Sequence, residues 1–221
     1  MRSALRGVLG GVATVALPGA VLFGSAGRWD LPWFWAYLGV FGASTVLGLM
    51  FVEPSLIRER LRPGPGGQDY AAALVIVPAW VAQHVVAGLD VGRHHWSDTV
   101  PAALQAVALL GMAAAMAVTI WAMAVNRFFS SVIRIQTDRG HRLVTSGPYA
   151  YVRHPAYAVA PLLLVGGGVA LGSWLAALLG LLMVLPLLRR TAREDRVLRE
   201  RLEGYAAYAE RVRYRLLPGV W

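Results

Sequence analysis

The residues with the most chemical capacity fall in one passage, Gln136 to Tyr157. It packs three arginines, two histidines, three tyrosines and two prolines between two hydrophobic runs of membrane length. Gly147-Pro148 marks a turn. Pro155 biases His154 toward an extended conformation and suits the first position of a new helix. Arg153 and His154 are therefore expected at a helix N-terminus. Backbone N–H groups without intrahelical partners and the positive end of the helix dipole favour a carboxylate or phosphate there. The plain alternative is a loop whose arginines only orient the chain in a membrane.

A second set lies nearer the C-terminus. Residues 189–213 read as an amphipathic helix, because Leu198, Leu202, Tyr205, Ala209 and Val212 recur at spacings of four and three. Glu194 is four before Leu198 and Arg190 four before Glu194, so both extend the apolar stripe. A carboxylate on that stripe is expected to meet a partner or a ligand, the alternative being an ordinary i,i+4 ion pair with Arg190. Tyr149 and Tyr157 can stack on a base or face a cation, or else act as interfacial anchors.

Other chemistry is excluded or weak. The chain has no cysteine, which removes thiolate nucleophiles and cysteine-ligated metals, and no lysine, which removes Schiff-base chemistry and a P-loop. No metal site is expected. His94-His95 falls on a short loop, and His84 reads as a hydrogen bond between packed helices. Gly166-Gly167-Gly168 lacks the strand–turn–helix setting of a dinucleotide fingerprint and reads as helix packing, with Gly168 and Gly172 four apart.

His141-x-Leu143-Val144-x-x-Gly147-Pro148-Tyr149, followed by Val152-Arg153-His154-Pro155-x-Tyr157, resembles the signature of the isoprenylcysteine carboxyl methyltransferase family, integral-membrane enzymes that use S-adenosylmethionine. The likeness continues through Arg190, Glu194-Asp195, Leu198, Tyr205, Tyr208 and Arg215-Leu216-Leu217-Pro218-Gly219. In the first 125 residues it rests on hydrophobic layout and on Glu53-Pro54-x-Leu56-x-x-Glu59-Arg60. The resemblance implies cofactor contacts in segments 136–157 and 189–217. The candidates are Gln136, His141, Leu143, Val144, Gly147, Pro148, Tyr149, Arg153, His154, Pro155, Tyr157, Arg190, Glu194 and Asp195, with Arg153 and Glu194 as the candidate catalytic pair.

S-adenosylmethionine presents a carboxylate, an ammonium, a ribose diol, an adenine and a sulfonium. Arg153 and the helix start at Pro155 suit the carboxylate, Glu194 the ammonium or ribose, the tyrosines the adenine or the cation, and His141 with Leu143-Val144 the edge of the base. A carboxylate acceptor needs no general base, whereas a thiol or amine would lose a proton to Glu194, His154 or a tyrosine. The expected acceptor is lipophilic, a carboxylate of the isoprenylcysteine kind or a thiol. Two other classes stay open: an NADPH-dependent membrane reductase of the sterol-reductase type, and a non-catalytic membrane protein or small transporter. Against the reductase, Tyr157 is followed by Ala158-Val159 rather than Gly-Glu.

The elements that must position these residues follow from composition. The 221 residues are 57% hydrophobic, more than a soluble domain could cover with polar surface, so an all-α integral membrane protein with the lipid bilayer as partner is expected. The net charge of +9 lies in loops and one C-terminal segment, which argues for membrane orientation and against nucleic acid. Four spans are predicted near 7–27, 31–52, 70–89 and 99–125, forming one membrane domain over 1–221. A cleavable signal peptide is the alternative for the first. Gly7, Gly11, Ala20 and Gly24 in that span also read as small-residue packing positions.

The uncharged stretch Ala156–Leu188 is too long for one span. With the N-terminus inside, nineteen arginines fall on the inner side and only Arg28 and Arg93 outside, provided that 156–188 is a helical hairpin broken near Gly172-Ser173. The resulting picture is four transmembrane helices, a hairpin and a cytoplasmic amphipathic C-terminal helix, in a bacterial inner membrane with both termini cytoplasmic.

Overall fold

The computed structural model describes the backbone of residues 2–221 and the side chains of 12–69 and 74–221. In chain order the helices are α1 (Arg2–Ala26), α2 (Pro32–Phe51), α3 (Pro54–Leu61), α4 (Tyr70–Leu89), α5 (Ala102–Val125), α6 (Pro155–Ala170), α7 (Trp174–Arg201) and α8 (Tyr205–Arg211). The described residues form no sheet; one isolated bridge joins Gln68 to Ile133. Proline sits in the first turn of α2, α3 and α6, where a missing N–H costs nothing and the fixed φ suits the helix.

Four helices are long and apolar enough to cross a membrane: α2, α4 with the turn that follows it, α5 and α7. Residues 12–26 of α1 and all of α6 are shorter apolar helices. The protein is an all-helical integral membrane protein. α1 packs on α2 and α4, α2 on α5, α5 on α6, α6 on α7, and α7 on α4, so the six long helices form a closed ring. Its apolar core, including Leu22, Phe23, Phe34, Met112 and Leu171, gathers at the ends of α1 and α6 and the start of α2.

The break at Gly172 is real. Gly172 has φ +88°, and the Ser173 hydroxyl accepts from the Ala176 N–H to cap α7. The two arms touch closely: a Cβ on Gly168 would strike the backbone of Ala176 and Ala177, and one on Gly180 would strike the Leu164 carbonyl. Gln83 Nε2 donates to the carbonyls of Leu164 (2.6 Å) and Ala176 (2.8 Å), tying α4 to both arms. His84 Nε2 meets the Tyr37 hydroxyl at 3.0 Å and Nδ1 the Trp80 carbonyl at 2.7 Å, the helix-packing role expected of it.

Several boundaries differ from the sequence reading. α1 begins at Arg2, and the stretch between the second and third predicted spans, 53–69, contains α3. Residues 90–98 open with a π turn, Asp90–His94, that continues α4. The C-terminal amphipathic segment is not one helix: α7 runs unbroken from the hairpin tip to Arg201, and Gly204 at φ +78° separates α8. At 1.5 Å per residue the 28-residue α7 is about 42 Å long, so its last two turns, from about Glu194 and Asp195 onward, project beyond a hydrocarbon layer of about 30 Å, and Arg190 lies about 24 Å along it. The close glycine approach to α1 is made by Gly88 and Gly92 against Leu22, Ser25 and Ala26; a Cβ on Gly24 would meet nothing, and Gly7 and Gly11 lie outside the described packing.

Exposed Trp29, Trp35, Trp96 and Trp174 gather at the end opposite the polar passage. Reporter fusions after Trp29, Gly66, Trp96 and Trp221 should read outside, inside, outside, inside; an external signal at Trp221 would contradict the hairpin orientation.

Candidate active site

At the end of the bundle that carries the polar passage, one group of side chains converges on Asp195, which is 0% exposed. Its Oδ1 accepts from Arg153 Nε at 2.8 Å and from the Tyr205 hydroxyl at 2.9 Å, and lies 3.3 Å from His154 Nε2. Its Oδ2 accepts from Arg215 Nε (2.9 Å), Arg153 Nη2 (3.2 Å) and Arg199 Nε (3.3 Å). Arg153 also donates through Nη1 to the carbonyls of Val212 and Arg213, both at 2.7 Å. The backbone N–H groups of Arg153 and His154 donate to the carbonyls of Tyr214 and Arg215. The C-terminal segment is thereby strapped under the start of α6.

Local sequence chemistry shapes the loop from α5 to α6. The Asn126 side chain accepts from Phe128 N–H (3.0 Å) and donates to the Tyr149 hydroxyl (3.1 Å). Gly147 sits at φ +61°, and a Cβ there would press on Trp121 and Val125 of α5. Arg134 is bidentate to Glu59 of α3, at 2.8 and 2.9 Å, and reaches Asp138 at 2.8 Å. The Tyr208 hydroxyl donates to the Tyr149 carbonyl at 2.6 Å, and burial pushes its pKa up to about 12.

Between loop, α6 start, α7 end and α8 lies an open cleft with about 810 Å³ of empty space, part of it open to solvent. One wall is a relay: Arg190 Nε donates to the Tyr157 hydroxyl (2.8 Å), which donates to Glu194 Oε2 (2.8 Å). Arg190 and Glu194 are thus joined through Tyr157 and form no direct ion pair among the described residues. On the opposite wall His141 stacks on Phe128 at 4.6 Å and its Nδ1 accepts from the Gln136 N–H at 3.2 Å. Burial, with Arg134 and Arg139 nearby, pulls the His141 pKa down to about 4. The imidazole is neutral near pH 7 with its proton on Nε2.

Residues 102–200 match the isoprenylcysteine carboxyl methyltransferase family. The family match begins at the first residue of α5 and ends one residue short of the end of α7, so it contains the whole loop, α6, Glu194 and Asp195. Among curated proteins, the nickel-cobalt-cadmium resistance protein NccN of Alcaligenes xylosoxydans xylosoxydans is similar, 32% identical over 133 residues. That alignment covers 59% of this chain and 58% of NccN, so the chain spans a little over half of that relative's length.

Within the family-matched region the structure divides the sequence candidates. His141, Leu143, Val144, Tyr149, Arg153, His154, Pro155, Tyr157 and Glu194 line the cleft. Gln136, Gly147, Pro148, Arg190 and Asp195 stand behind it. Gln136 is 0% exposed, donating to the Phe128 carbonyl (2.6 Å) and accepting from Arg139. The two donors expected to grip a ligand carboxylate, Arg153 Nε and Nη2, are both on Asp195. Sequence reasoning missed Asn126, Phe128, Phe129, Ser130 and Arg134, which line the cleft ahead of the polar passage. The signal was present in Phe128-Phe129-Ser130-Ser131, an aromatic and hydroxyl cluster directly after a span. Among the described residues no group of three or more histidine and acidic side chains could hold a metal ion.

Breaking a buried, hydrogen-bonded ion pair typically costs about 3–5 kcal/mol. Asp195→Asn should therefore lower the unfolding temperature strongly, while Arg199→Ala, whose side chain is 44% exposed, should change it little. A thermal melt in detergent with equal effects from both would refute the hub. The His141 pKa is depressed in the fold, so its contribution is present above the ordinary value near 6.5 and is lost as pH falls toward about 4. His141→Asn should flatten the melting temperature between those pH values relative to wild type; parallel curves would show that His141 is already charged in the fold.

Proposed function

We propose that the cleft binds S-adenosylmethionine and that the protein transfers its methyl group to a lipophilic acceptor, a carboxylate of the isoprenylcysteine kind or a thiol. The observation that carries this reading is the pairing of the α6 N-terminus with Glu194 across one cleft, inside the family-matched segment and at the inner edge of the membrane helices. The cofactor supplies an activated methyl group: the S–CH3 bond breaks as the acceptor–CH3 bond forms, and the sulfonium leaves as a neutral thioether.

The residues present suit that molecule. Ala156 and Tyr157 follow Pro155 in the first turn of α6, where N–H groups have no intrahelical acceptor, and the first bond back is from Ala158 to the His154 carbonyl. Those two N–H groups and the helix dipole suit the amino-acid carboxylate. Glu194 gives one oxygen to Tyr157 and keeps the other for an ammonium or ribose hydroxyl. Neutral His141 can donate from Nε2 to an adenine ring nitrogen, with the Leu143-Val144 segment beside it. Arg153 acts as a positioning residue, holding Asp195 and the C-terminal strap so that the start of α6 faces Glu194.

A carboxylate acceptor arrives ionised, so alignment and exclusion of water are the main tasks. A thiol would have to lose its proton, and Glu194 is the carboxylate on the cleft wall able to take it. The name of NccN concerns metal resistance. Methyl transfer is the reading that the cleft and the family match support.

Purified protein should bind S-adenosylmethionine and its demethylated product by calorimetry, and NADPH not measurably. Losing a charge-assisted hydrogen bond costs about 1.5–3 kcal/mol, roughly ten- to a hundredfold in affinity. Glu194→Gln should weaken cofactor binding by that order with an unchanged melting temperature. Binding of NADPH without S-adenosylmethionine would overturn the proposal in favour of a reductase.

A further inference from the structure

Arg60 closes the last turn of α3. Its neighbour Glu59 faces away and is engaged by Arg134, by Ser130 Oγ at 3.0 Å and by Gly64 N–H at 3.4 Å. The Ser131 hydroxyl donates to the Arg60 carbonyl at 2.9 Å, so the backbone that carries Arg60 is pinned to the cleft-lining loop. The guanidinium itself makes one long hydrogen bond, Nη1 to the Phe129 carbonyl at 3.4 Å, and rides 5.1 Å above the Phe129 ring.

The fully buried guanidiniums on this side are matched more fully than the half-buried Arg60. Arg134 has Glu59 and Asp138, Arg153 has Asp195, and Arg190 has Tyr157 and Asp69. Among the described residues no carboxylate stands within ion-pair distance of Arg60. Burial pulls the Arg60 pKa below its ordinary value, and the side chain feels Tyr157, Arg190, Glu194 and Tyr149 electrostatically. A cation partly withdrawn from water against Phe129 of the cleft wall, without a contacting counter-charge, calls for an anion. Its position says which kind. Exposed Met50 and Phe51 end α2 just before α3, and Leu61 next to Arg60 is 77% exposed, so Arg60 sits where the apolar surface meets the cytoplasmic loops.

We propose that Arg60 is a specificity-determining residue that holds the anionic head of a lipophilic acid while the tail of that acid stays in the bilayer. The acid is thereby turned toward Tyr157 and Glu194 on the cleft wall. This rests on the methyltransferase reading, with the acid as the methyl acceptor.

The test uses the full chain in phosphatidylcholine nanodiscs, saturated with the demethylated cofactor product. The probes are S-farnesyl-N-acetylcysteine and its carboxamide, which share a tail and differ in charge. Wild type should prefer the acid by about tenfold or more, the scale of one charge-assisted contact. Arg60→Gln should abolish the preference with cofactor-product affinity and melting temperature unchanged, and Arg60→Lys should restore part of it. Equal preference in wild type and Arg60→Gln, or no preference in wild type, would overturn the assignment while leaving cofactor binding intact. If Arg60→Gln kept the acid preference but lost a preference for phosphatidylglycerol discs, Arg60 would be a lipid-headgroup contact and the proposal would fall. Failure of wild type to bind the cofactor product at all would instead strike the methyltransferase reading, and this inference with it.

Discussion

One buried carboxylate organises the half of this protein that carries the polar cleft. Asp195 takes hydrogen bonds from side chains on four segments: the loop before α6, α7 itself, α8 and the C-terminal strap. A lone carboxylate at 0% exposure would be prohibitive, and so would Arg153 at 4% without it. Each is tolerable only because the other is in place with its remaining hydrogen-bonding capacity filled. The pair is therefore less a source of net stability than a condition on geometry. Any arrangement that separates α7 from the start of α6 strands two charges, so the relative position of Pro155 and Glu194, the two sides of the cleft, follows from it.

The opposite membrane face shows the same device. Asp90, also 0% exposed, accepts from the Ser97 N–H and the hydroxyls of Ser97 and Ser173. Ser173 in turn caps α7. The α6–α7 hairpin is thus held at its tip by one buried acid and at its base by another, and Gln83 ties both arms to α4 in between. Between these points the packing is glycine against backbone, which has little tolerance for sliding. A rigid hairpin suits a site whose chemistry depends on alignment more than on proton transfer.

Much of this was legible in the chain and some was not, for physical reasons. The hairpin could be read because arginine asymmetry and span length both act through the bilayer, whose thickness is known in advance. Pro155 announced the start of α6 because its effect is local. The role of Arg153 was not legible: its composition-level description, an arginine before a helix, fits an anion clamp and a structural bracket equally well. The choice depends on Asp195, forty-two residues away. Asp195 was visible only as the neighbour of Glu194, and on a helix adjacent residues point about 100° apart, so one faces the cleft and the other faces Arg153. Glu59 and Arg134 were hidden in the same way, since nothing local shows that residues 75 apart form an ion pair.

The absence of lysine becomes intelligible at these buried positions. Arg153 sends two donors to Asp195 and two hydrogen bonds to successive carbonyls of the strap. Arg134 spans Glu59, Asp138 and the Pro65 carbonyl. Arg190 reaches the Tyr157 hydroxyl through Nε and the Ser131 carbonyl through Nη2, both at 2.8 Å. Each joins separate chain segments through a flat, five-donor fork that stays charged when buried. An ammonium offers three donors around a single atom, and burial would drive it toward neutrality. In the loop before α6, the Ser131 carbonyl accepts from Arg190 and the Phe129 carbonyl from Arg60, while the carbonyls of Asn126, Gln136 and Ser146 accept from backbone N–H groups of the loop itself. This half of the molecule is accordingly a network of guanidinium brackets around a cleft, joining segments that no helix or sheet ladder joins.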